Sequence, residues 1–164
     1  MSKKDIKWLS IFIVALFFIH FLIPQKNAQN KGIILNNQSI EISTGAKIEF
    51  PQRNKWSVAL FWSTQCGACL NELQILYQHL KHHTKENSFE IYALSINDSH
   101  KSILQFAQSN INLFPHAPAP QNLLQKLSIS MIPALFFINP EGKIMHQHQG
   151  ILTYEDIKEI ILKQ

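Results

Sequence analysis

The feature that most constrains the fold is a pair of cysteines placed where an apolar run meets a helix-forming stretch. Residues 58–62 are rich in Val, Leu and aromatic side chains, which is typical of a buried strand. Cys66 and Cys69, with Gly-Ala between them, follow after three residues, and the pattern of residues 70–81 then predicts a helix. The predicted order of strand, turn and helix places Cys66 near a helix N-terminus.

This position predicts redox chemistry at the two sulfurs. The free backbone N–H groups and the positive dipole end of a helix favour a thiolate over a neutral thiol, so Cys66 is the candidate nucleophile. Cys69 lies one helical turn further on, close enough to form a disulfide with Cys66 and to release a trapped partner. We expect the chain to cycle between dithiol and disulfide, with this redox-active pair and no other cofactor.

Composition restricts the alternatives. The chain contains only two cysteines, both in this motif, so no second pair can form a structural disulfide framework. The net charge is +4, and the Lys and Arg residues are dispersed apart from those at the N-terminus. Because no basic stripe is interleaved with aromatic residues, nucleic acid is not an expected partner.

The N-terminal residues predict a membrane anchor. Residues 8–23 are apolar apart from Ser10 and His20, and three lysines precede them. Only Ala28 fits a small-x-small cleavage site, so we predict an uncleaved signal anchor over residues 1–24. Lysines on the N-terminal side keep that end in the cytoplasm. The prediction is a single-pass protein of the bacterial inner membrane, with its catalytic domain in the periplasm.

The rest of the chain divides into a polar tether, residues 25–31, and one domain, residues 32–164. Residues 32–42 predict two short strands around an Asn-Asn turn, and residues 44–54 predict a loop. Residues 114–120 contain too many prolines for a helix or an interior strand. The remaining patterns predict strands at 57–63, 89–96, 134–138 and 143–148, and helices at 70–81, 99–109 and 121–127, with a last helix capped by Thr153. Such alternation indicates an α/β protein with parallel pairing.

At this point the sequence resembles the thioredoxin fold, and within it the membrane-anchored extracytoplasmic oxidoreductases of the TlpA and ResA type. The matching features are Phe61-Trp62 before the CxxC motif, Glu72, Ile132-Pro133 before a strand, and the Asn139-Pro140-Glu141-Gly142 turn. The resemblance implies a central mixed sheet flanked by helices. It also implies an N-terminal hairpin, a central insertion between the CxxC motif and Pro133, and one preceding transmembrane helix.

The resemblance also implies a surface that binds substrate. In the family, the proline at the position of Pro133 is cis and faces the cysteine pair, which leaves the backbone of Ile132 free to hydrogen-bond a substrate chain. An X-Pro bond adopts the cis form at moderate cost, and a proline at a strand start has no N–H to leave unpaired. We place Trp62 and Gln65 on the same predicted surface. Gln65 stands where the family usually has Trp.

Glu72 is the third predicted catalytic residue, because it shares a helix face with Cys69. In the TlpA and ResA type a glutamate here is linked to proton transfer at the buried cysteine, which would compensate for Leu60 at the place of a buried Asp in ordinary thioredoxins. A partly buried carboxylate could take the proton as Cys69 becomes a thiolate. The alternative is a solvated helix glutamate.

A metal-binding function is the main alternative. Soft thiolates suit Cu(I), so the same cysteine pair could serve a copper-handling module. A closed zinc site needs four ligands and one CxxC supplies two, so no metal site is predicted. His79, His82 and His83 fit a solvated helix face.

The favoured function is an extracytoplasmic thiol-disulfide oxidoreductase. Its expected partners are proteins that carry disulfides or dithiols. The resemblance favours the reductive direction. A membrane-embedded thiol electron donor would then have to recharge the pair, because the outer compartment oxidises thiols.

Overall fold

The computed structural model describes residues 30–83, 89–109 and 114–162. The predicted anchor, residues 1–24, lies outside these residues, as does most of the predicted tether. Within the described ranges, no helix is both long and apolar enough to cross a membrane. Asn30, predicted in the tether, is buried, and its side chain donates a hydrogen bond to the carbonyl of Leu127 at 2.6 Å. The packed domain therefore includes Asn30.

The described residues form two sheets and four helices. The strands are β1 (Gln38–Glu41), β2 (Lys47–Phe50), β3 (Trp56–Trp62), β4 (Phe89–Ser95), β5 (His116–Pro118), β6 (Ala134–Ile138) and β7 (Ile144–Gln149). The helices are α1 (Gly67–His83), α2 (His100–Ser109), α3 (Gln121–Leu127) and α4 (Tyr154–Leu162).

The central sheet has the strand order β5-β4-β3-β6-β7, and β1 with β2 forms a separate antiparallel hairpin. Strand β3 pairs in parallel with β4 and antiparallel with β6. Strand β4 also pairs in parallel with β5, and β6 pairs antiparallel with β7. The sheet is therefore mixed, as predicted, and β3 is its central strand.

Both faces of this sheet are covered, which explains why β3 is a continuous apolar run. Side chains alternate between the faces along a strand. Val58, Leu60 and Trp62 pack with buried residues of α1, α2 and α4. Ala59 and Phe61 face the other way, into a cluster that includes buried residues of α3 and of the β1–β2 hairpin. One layer of three helices and a second layer of one helix and the hairpin therefore enclose the sheet.

Most predicted elements are present with small shifts. Helix α1 begins at Gly67 rather than at residue 70, since the N–H of Cys69 already bonds the carbonyl of Cys66 at 3.0 Å. Helix α2 is capped by Ser99, whose Oγ accepts the N–H of Ser102 at 3.1 Å. Thr153 precedes α4 as predicted, and its Oγ accepts the N–H of Asp156 at 3.3 Å.

Two local predictions are wrong. The hairpin turn is not at Asn36-Asn37, which precede β1; the turn is at Ile42–Ala46, where the N–H of Ile42 bonds the carbonyl of Ala46 at 2.9 Å. Residues 44–54 were expected to form a loop but contain β2. The proline-rich segment also holds the unpredicted strand β5, which Pro118 can join because β5 is an edge strand of only three residues.

Gly142 closes the β6–β7 turn and contacts the segment before β1. Its φ is +82°, a conformation that favours glycine, and its carbonyl accepts the N–H of Leu35 at 2.8 Å. A Cβ added there would lie 2.6 Å from the carbonyl oxygen of Leu35. Gly45, with φ +86°, has open space around the same position. The two glycines therefore share a backbone conformation but differ in their surroundings.

We expect Gly142→Ala to lower the free energy of unfolding by about 2–4 kcal/mol, because it adds a backbone clash to the conformational cost. Gly45→Ala is the matched control and should lose only about 1 kcal/mol. Urea unfolding of the two variants measures the difference. Equal losses would contradict the clash at Gly142.

Candidate active site

The pairing of three strands gathers the predicted site at one edge of the sheet. Strands β3 and β4 run in parallel with Trp62 opposite Ser95, so their carboxyl ends lie side by side. Strand β6 runs the other way, with Ala134 opposite Phe61, so Pro133 lies at the same edge. The segment that leads from β3 to Cys66 therefore passes between the end of β4 and the start of β6.

Cys66 and Cys69 are joined in a disulfide, and their surroundings differ. Cys69 has no exposed surface, while Cys66 is half-buried. The N–H of Cys69 points to the sulfur of Cys66 at 3.2 Å, as expected for a sulfur at a helix N-terminus. Of the two sulfurs, only that of Cys66 is accessible enough to attack a partner disulfide, which agrees with its predicted role as nucleophile.

Asp98 holds the turn that carries Cys66. Its carboxylate accepts the N–H of Thr64 at 2.8 Å and the hydroxyl of Thr64 at 2.7 Å, as well as the hydroxyl of Ser95. Partial burial raises the pKa of Asp98, but the hydrogen bonds from Ser95 and Thr64 outweigh this effect and hold the pKa below its usual range. The carboxyl group is therefore ionised at neutral pH.

The peptide bond between Ile132 and Pro133 is cis, as the resemblance implied. The carbonyl of Pro133 accepts the N–H of Gly150 at 2.8 Å. The loop before it is tied to the end of β7, because the side-chain oxygen of Gln149 accepts the N–H of Ser130 at 2.9 Å and the N–H of Met131 at 3.3 Å. The cis-proline loop is thus held from β7.

Glu72 is buried, with 1% of its surface exposed, so the solvated alternative is wrong. One oxygen accepts the N–H of Leu152 at 3.5 Å, and the other has no hydrogen-bond partner among the described residues. Burial raises the pKa of Glu72 to about 7, and the hydrogen bond from Leu152 opposes this effect only in part. Glu72 can therefore gain or lose a proton near neutral pH, one helical turn from the buried sulfur of Cys69.

The predicted substrate residues occupy different environments. Gln65 is exposed beside Cys66, Ile132 is half-buried, and Pro133 is buried. Trp62 has no exposed surface: its ring lies 4.6 Å from the ring of Phe106 and 5.4 Å from that of His116, centroid to centroid. The placement of Trp62 on the substrate surface is therefore corrected. Trp62 is the last residue of β3, and its side chain belongs to the core on the face of the sheet that α1, α2 and α4 cover.

Metal ligands are not grouped in the part of the chain that the structure describes: no cluster of three or more His, Cys, Asp or Glu side chains could hold an ion. The side chains of His79, His82 and His83 lie outside the described residues.

Sequence reasoning missed two residues that organise the site. Neither Asp98 nor Gln149 is among the predicted site residues. The signal for Asp98 was present, since parallel strands end at the same edge and polar residues follow both β3 and β4. Gln149 gave no such signal, because its contacts depend on how the loop before Pro133 folds back on β7.

The arrangement identifies the class of protein. A CxxC disulfide after a central strand, at the same sheet edge as a cis-proline that precedes an antiparallel strand, is the arrangement implied above for the thioredoxin fold. Comparison with family models agrees: the thioredoxin-like domain matches residues 45–164. The chain belongs to the thioredoxin-like family.

Individual relatives narrow this assignment. The chain is similar to the thiol-disulfide oxidoreductase ResA of Bacillus subtilis (strain 168), at 28% identity over 78% of this chain and 72% of the relative. It is also similar to ResA of Halalkalibacterium halodurans, at 25% identity over 98% and 96% of the two chains. The predicted resemblance to the TlpA and ResA type is confirmed.

Solved structures support the fold. The crystal structure of StoA from Bacillus subtilis matches with a TM-score of 0.64 at 22% identity, covering 76% of this chain and 95% of that one. A thiol:disulfide interchange protein of the thioredoxin family from Chlorobium tepidum TLS matches with a TM-score of 0.70 at 17% identity, covering 81% and 96%.

The raised pKa of Glu72 predicts how stability depends on pH. Between pH 4.5 and 7 the folded protein keeps a proton that the unfolded chain releases, so the free energy of unfolding should fall as pH rises. A shift of this size corresponds to about 3 kcal/mol. In the oxidised protein, Glu72→Gln should remove this fall, measured by urea unfolding at pH 5 and pH 8. Glu141 lies in an exposed turn, so the control variant Glu141→Gln should keep the fall in the free energy of unfolding. An unchanged slope in Glu72→Gln would contradict the assignment.

Proposed function

We propose that this thiol-disulfide oxidoreductase donates electrons from the Cys66–Cys69 pair to disulfides of partner proteins outside the cytoplasm. Support for the activity comes from the CxxC pair and from the ResA relatives. Support for the direction comes from the charges around the pair, and support for the location comes from the apolar N-terminal segment.

The chemistry requires two exchanges. The thiolate of Cys66 attacks one sulfur of a partner disulfide, forms a mixed disulfide, and expels the partner's other sulfur as a thiolate that takes up a proton. The thiolate of Cys69 then attacks the sulfur of Cys66, which breaks the mixed disulfide and releases the partner as a dithiol. Two electrons pass to the partner, and the enzyme ends in the disulfide state seen here. Glu72 accepts the proton that Cys69 loses.

The observation that carries the reductive direction is the charge pattern around the sulfurs. Residues 63–72 contain no Lys, Arg or His, so within the motif the thiolate of Cys66 is stabilised only by the helix N-terminus. Glu72, close to ionisation at neutral pH, lies one turn from Cys69 and disfavours a second negative charge there. A strong oxidant needs a stabilised reduced form, and residues 63–72 contain no positive side chain that would stabilise one.

The exposed surface near the pair suits a protein substrate. Met131 and Ile151, on the two loops that meet at Pro133 and Gly150, are 56% and 68% exposed. Exposed apolar side chains of this size on the cis-proline loop and the loop that bonds it favour contact with another protein rather than with a small thiol. The proposed substrates are therefore partner proteins with disulfides, with the exposed Gln65 and the half-buried Ile132 at the contact and the buried Pro133 beneath it.

A membrane-embedded thiol donor would restore the dithiol, because oxidising compartments do not maintain free thiols. This part of the proposal depends on the predicted anchor.

Protease added to intact spheroplasts should degrade the domain and leave a short N-terminal fragment in the membrane. Protection of the whole chain until the membrane is lysed would contradict the predicted orientation.

The equilibrium redox potential of the full-length protein tests the direction. We expect a value close to about −270 mV, as in a reductase, and far from about −120 mV, as in a disulfide-forming oxidant. Equilibration with a thiol buffer, followed by alkylation of free thiols, measures it. A value at the oxidising end would contradict the reductive proposal and leave the exchange chemistry intact.

A further inference from the structure

Asp98 lies between β4 and helix α2, but its carboxylate does not cap that helix. Ser99 caps α2, which leaves both oxygens of Asp98 for other donors. These donors are the N–H and hydroxyl of Thr64 and the hydroxyl of Ser95. The two bonds from Thr64 connect the segment after β4 to the segment after β3, whereas the bond from Ser95 holds Asp98 to the end of its own strand. None of the three bonds serves the helix that follows Asp98.

Thr64 belongs to the turn that delivers the nucleophile. The N–H of Cys66 bonds the carbonyl of Ser63 at 3.0 Å, which closes a turn with Thr64 as its second residue. Helix α1 begins immediately after this turn. The orientation of Cys66 relative to Cys69 therefore depends on a turn in which the backbone N–H and the side chain of Thr64 are both held by one carboxylate, in the loop that follows the neighbouring strand β4.

We propose that Asp98 is a positioning residue for Cys66, and that by fixing the turn through Thr64 it stabilises the Cys66–Cys69 disulfide relative to the dithiol. A disulfide forms within one chain in proportion to how well the two sulfurs are held at bonding distance. A fixed turn raises that effective concentration. The oxidised form gains most, because only there must both sulfurs keep one geometry.

The charge of Asp98 acts in the same direction. Its hydrogen bonds keep the carboxylate ionised, as described above, so a negative charge lies against the turn that leads to the nucleophile. A negative charge disfavours a thiolate nearby and therefore disfavours the reduced form. Position and charge both make the couple a stronger reductant.

The test uses the full-length protein equilibrated with glutathione. In this reaction the protein dithiol and one oxidised glutathione give the protein disulfide and two reduced glutathiones, so two electrons move and every sulfur is accounted for. Asp98→Asn should lower the equilibrium constant about fivefold, a rise in potential of about 20 mV. A carboxamide cannot accept from all three donors, because its nitrogen is itself a donor.

Asp156→Asn is the matched control. Asp156 accepts the N–H and hydroxyl of Thr153 as Asp98 accepts those of Thr64, but in the first turn of α4. Both variants lose the same type of bond, so any general loss of stability appears in both melting temperatures. The equilibrium constant of Asp156→Asn should stay within about 1.5-fold of wild type. Equal effects of the two substitutions would overturn the proposal.

Thr64→Val separates position from charge, and it carries the test if Asp98→Asn does not fold. The substitution removes the hydroxyl donor and keeps the backbone N–H and the carboxylate. We expect the equilibrium constant to fall about twofold. An unchanged equilibrium constant in Thr64→Val would overturn the proposal that Asp98 acts through Thr64.

The inference concerns the same redox couple as the proposed function, but the two can fail separately. The wild-type potential tests the reductive direction. The ratios of variant to wild type test Asp98, whatever the absolute potential is.

Discussion

Strand β3 lies between a parallel and an antiparallel neighbour, and the site depends on both pairings. The parallel pairing with β4 sets two strand ends side by side, so Asp98 reaches the turn before Cys66. The antiparallel pairing with β6 brings the start of that strand, and with it Pro133, to the edge of the sheet from which the CxxC segment leaves β3. If one of the two pairings were absent, the cysteine pair would still lie at a helix N-terminus, but the site would lose Asp98 or Pro133.

A second dependence runs through the face of the sheet that α1 covers. Cys69 and Glu72 lie on the side of α1 that packs into the core, and the loop before α4 closes over them, with Leu152 donating to Glu72. Burial therefore does two things at once. It shields the sulfur of Cys69 from partners, and it brings the pKa of Glu72 close to neutral pH. The same packing that stabilises the fold prepares the proton acceptor.

The sequence was sufficient for elements whose pattern is local. The strand before the cysteines, helix α3, the turn at Asn139–Gly142 and the cis-proline position follow from apolar runs, proline and glycine placement, and the family resemblance. The turn of the β1–β2 hairpin was misplaced because Asn36-Asn37 and Ser43–Gly45 both carry turn-forming residues, and only pairing with β2 decides between them. Trp62 was misplaced because an aromatic side chain beside a motif carries no sign of which face it occupies until the helices are in place.

Contacts between strand ends could not be predicted in the same way. Asp98 follows Thr64 by 34 positions, and Gln149 follows Ser130 by 19, so neither pair leaves a periodic pattern in the chain. The anchor remains a prediction, since residues 1–24 lie outside the described part of the chain. What the sequence does reveal is the chemistry: two thiols, a nearby carboxyl and a proline that opens a strand.

The unequal burial of the two sulfurs has a consequence for oxidative damage. In the disulfide form Cys66 is half-buried and Cys69 has no exposed surface. A dithiol form with the same burial would expose only Cys66 to a peroxide. Attack would convert Cys66 to a sulfenic acid, and Cys69 can displace the resulting hydroxide to give the same disulfide that forms during turnover. A thiol donor able to reduce this disulfide would then also repair the oxidised enzyme, before sulfinic acid accumulates.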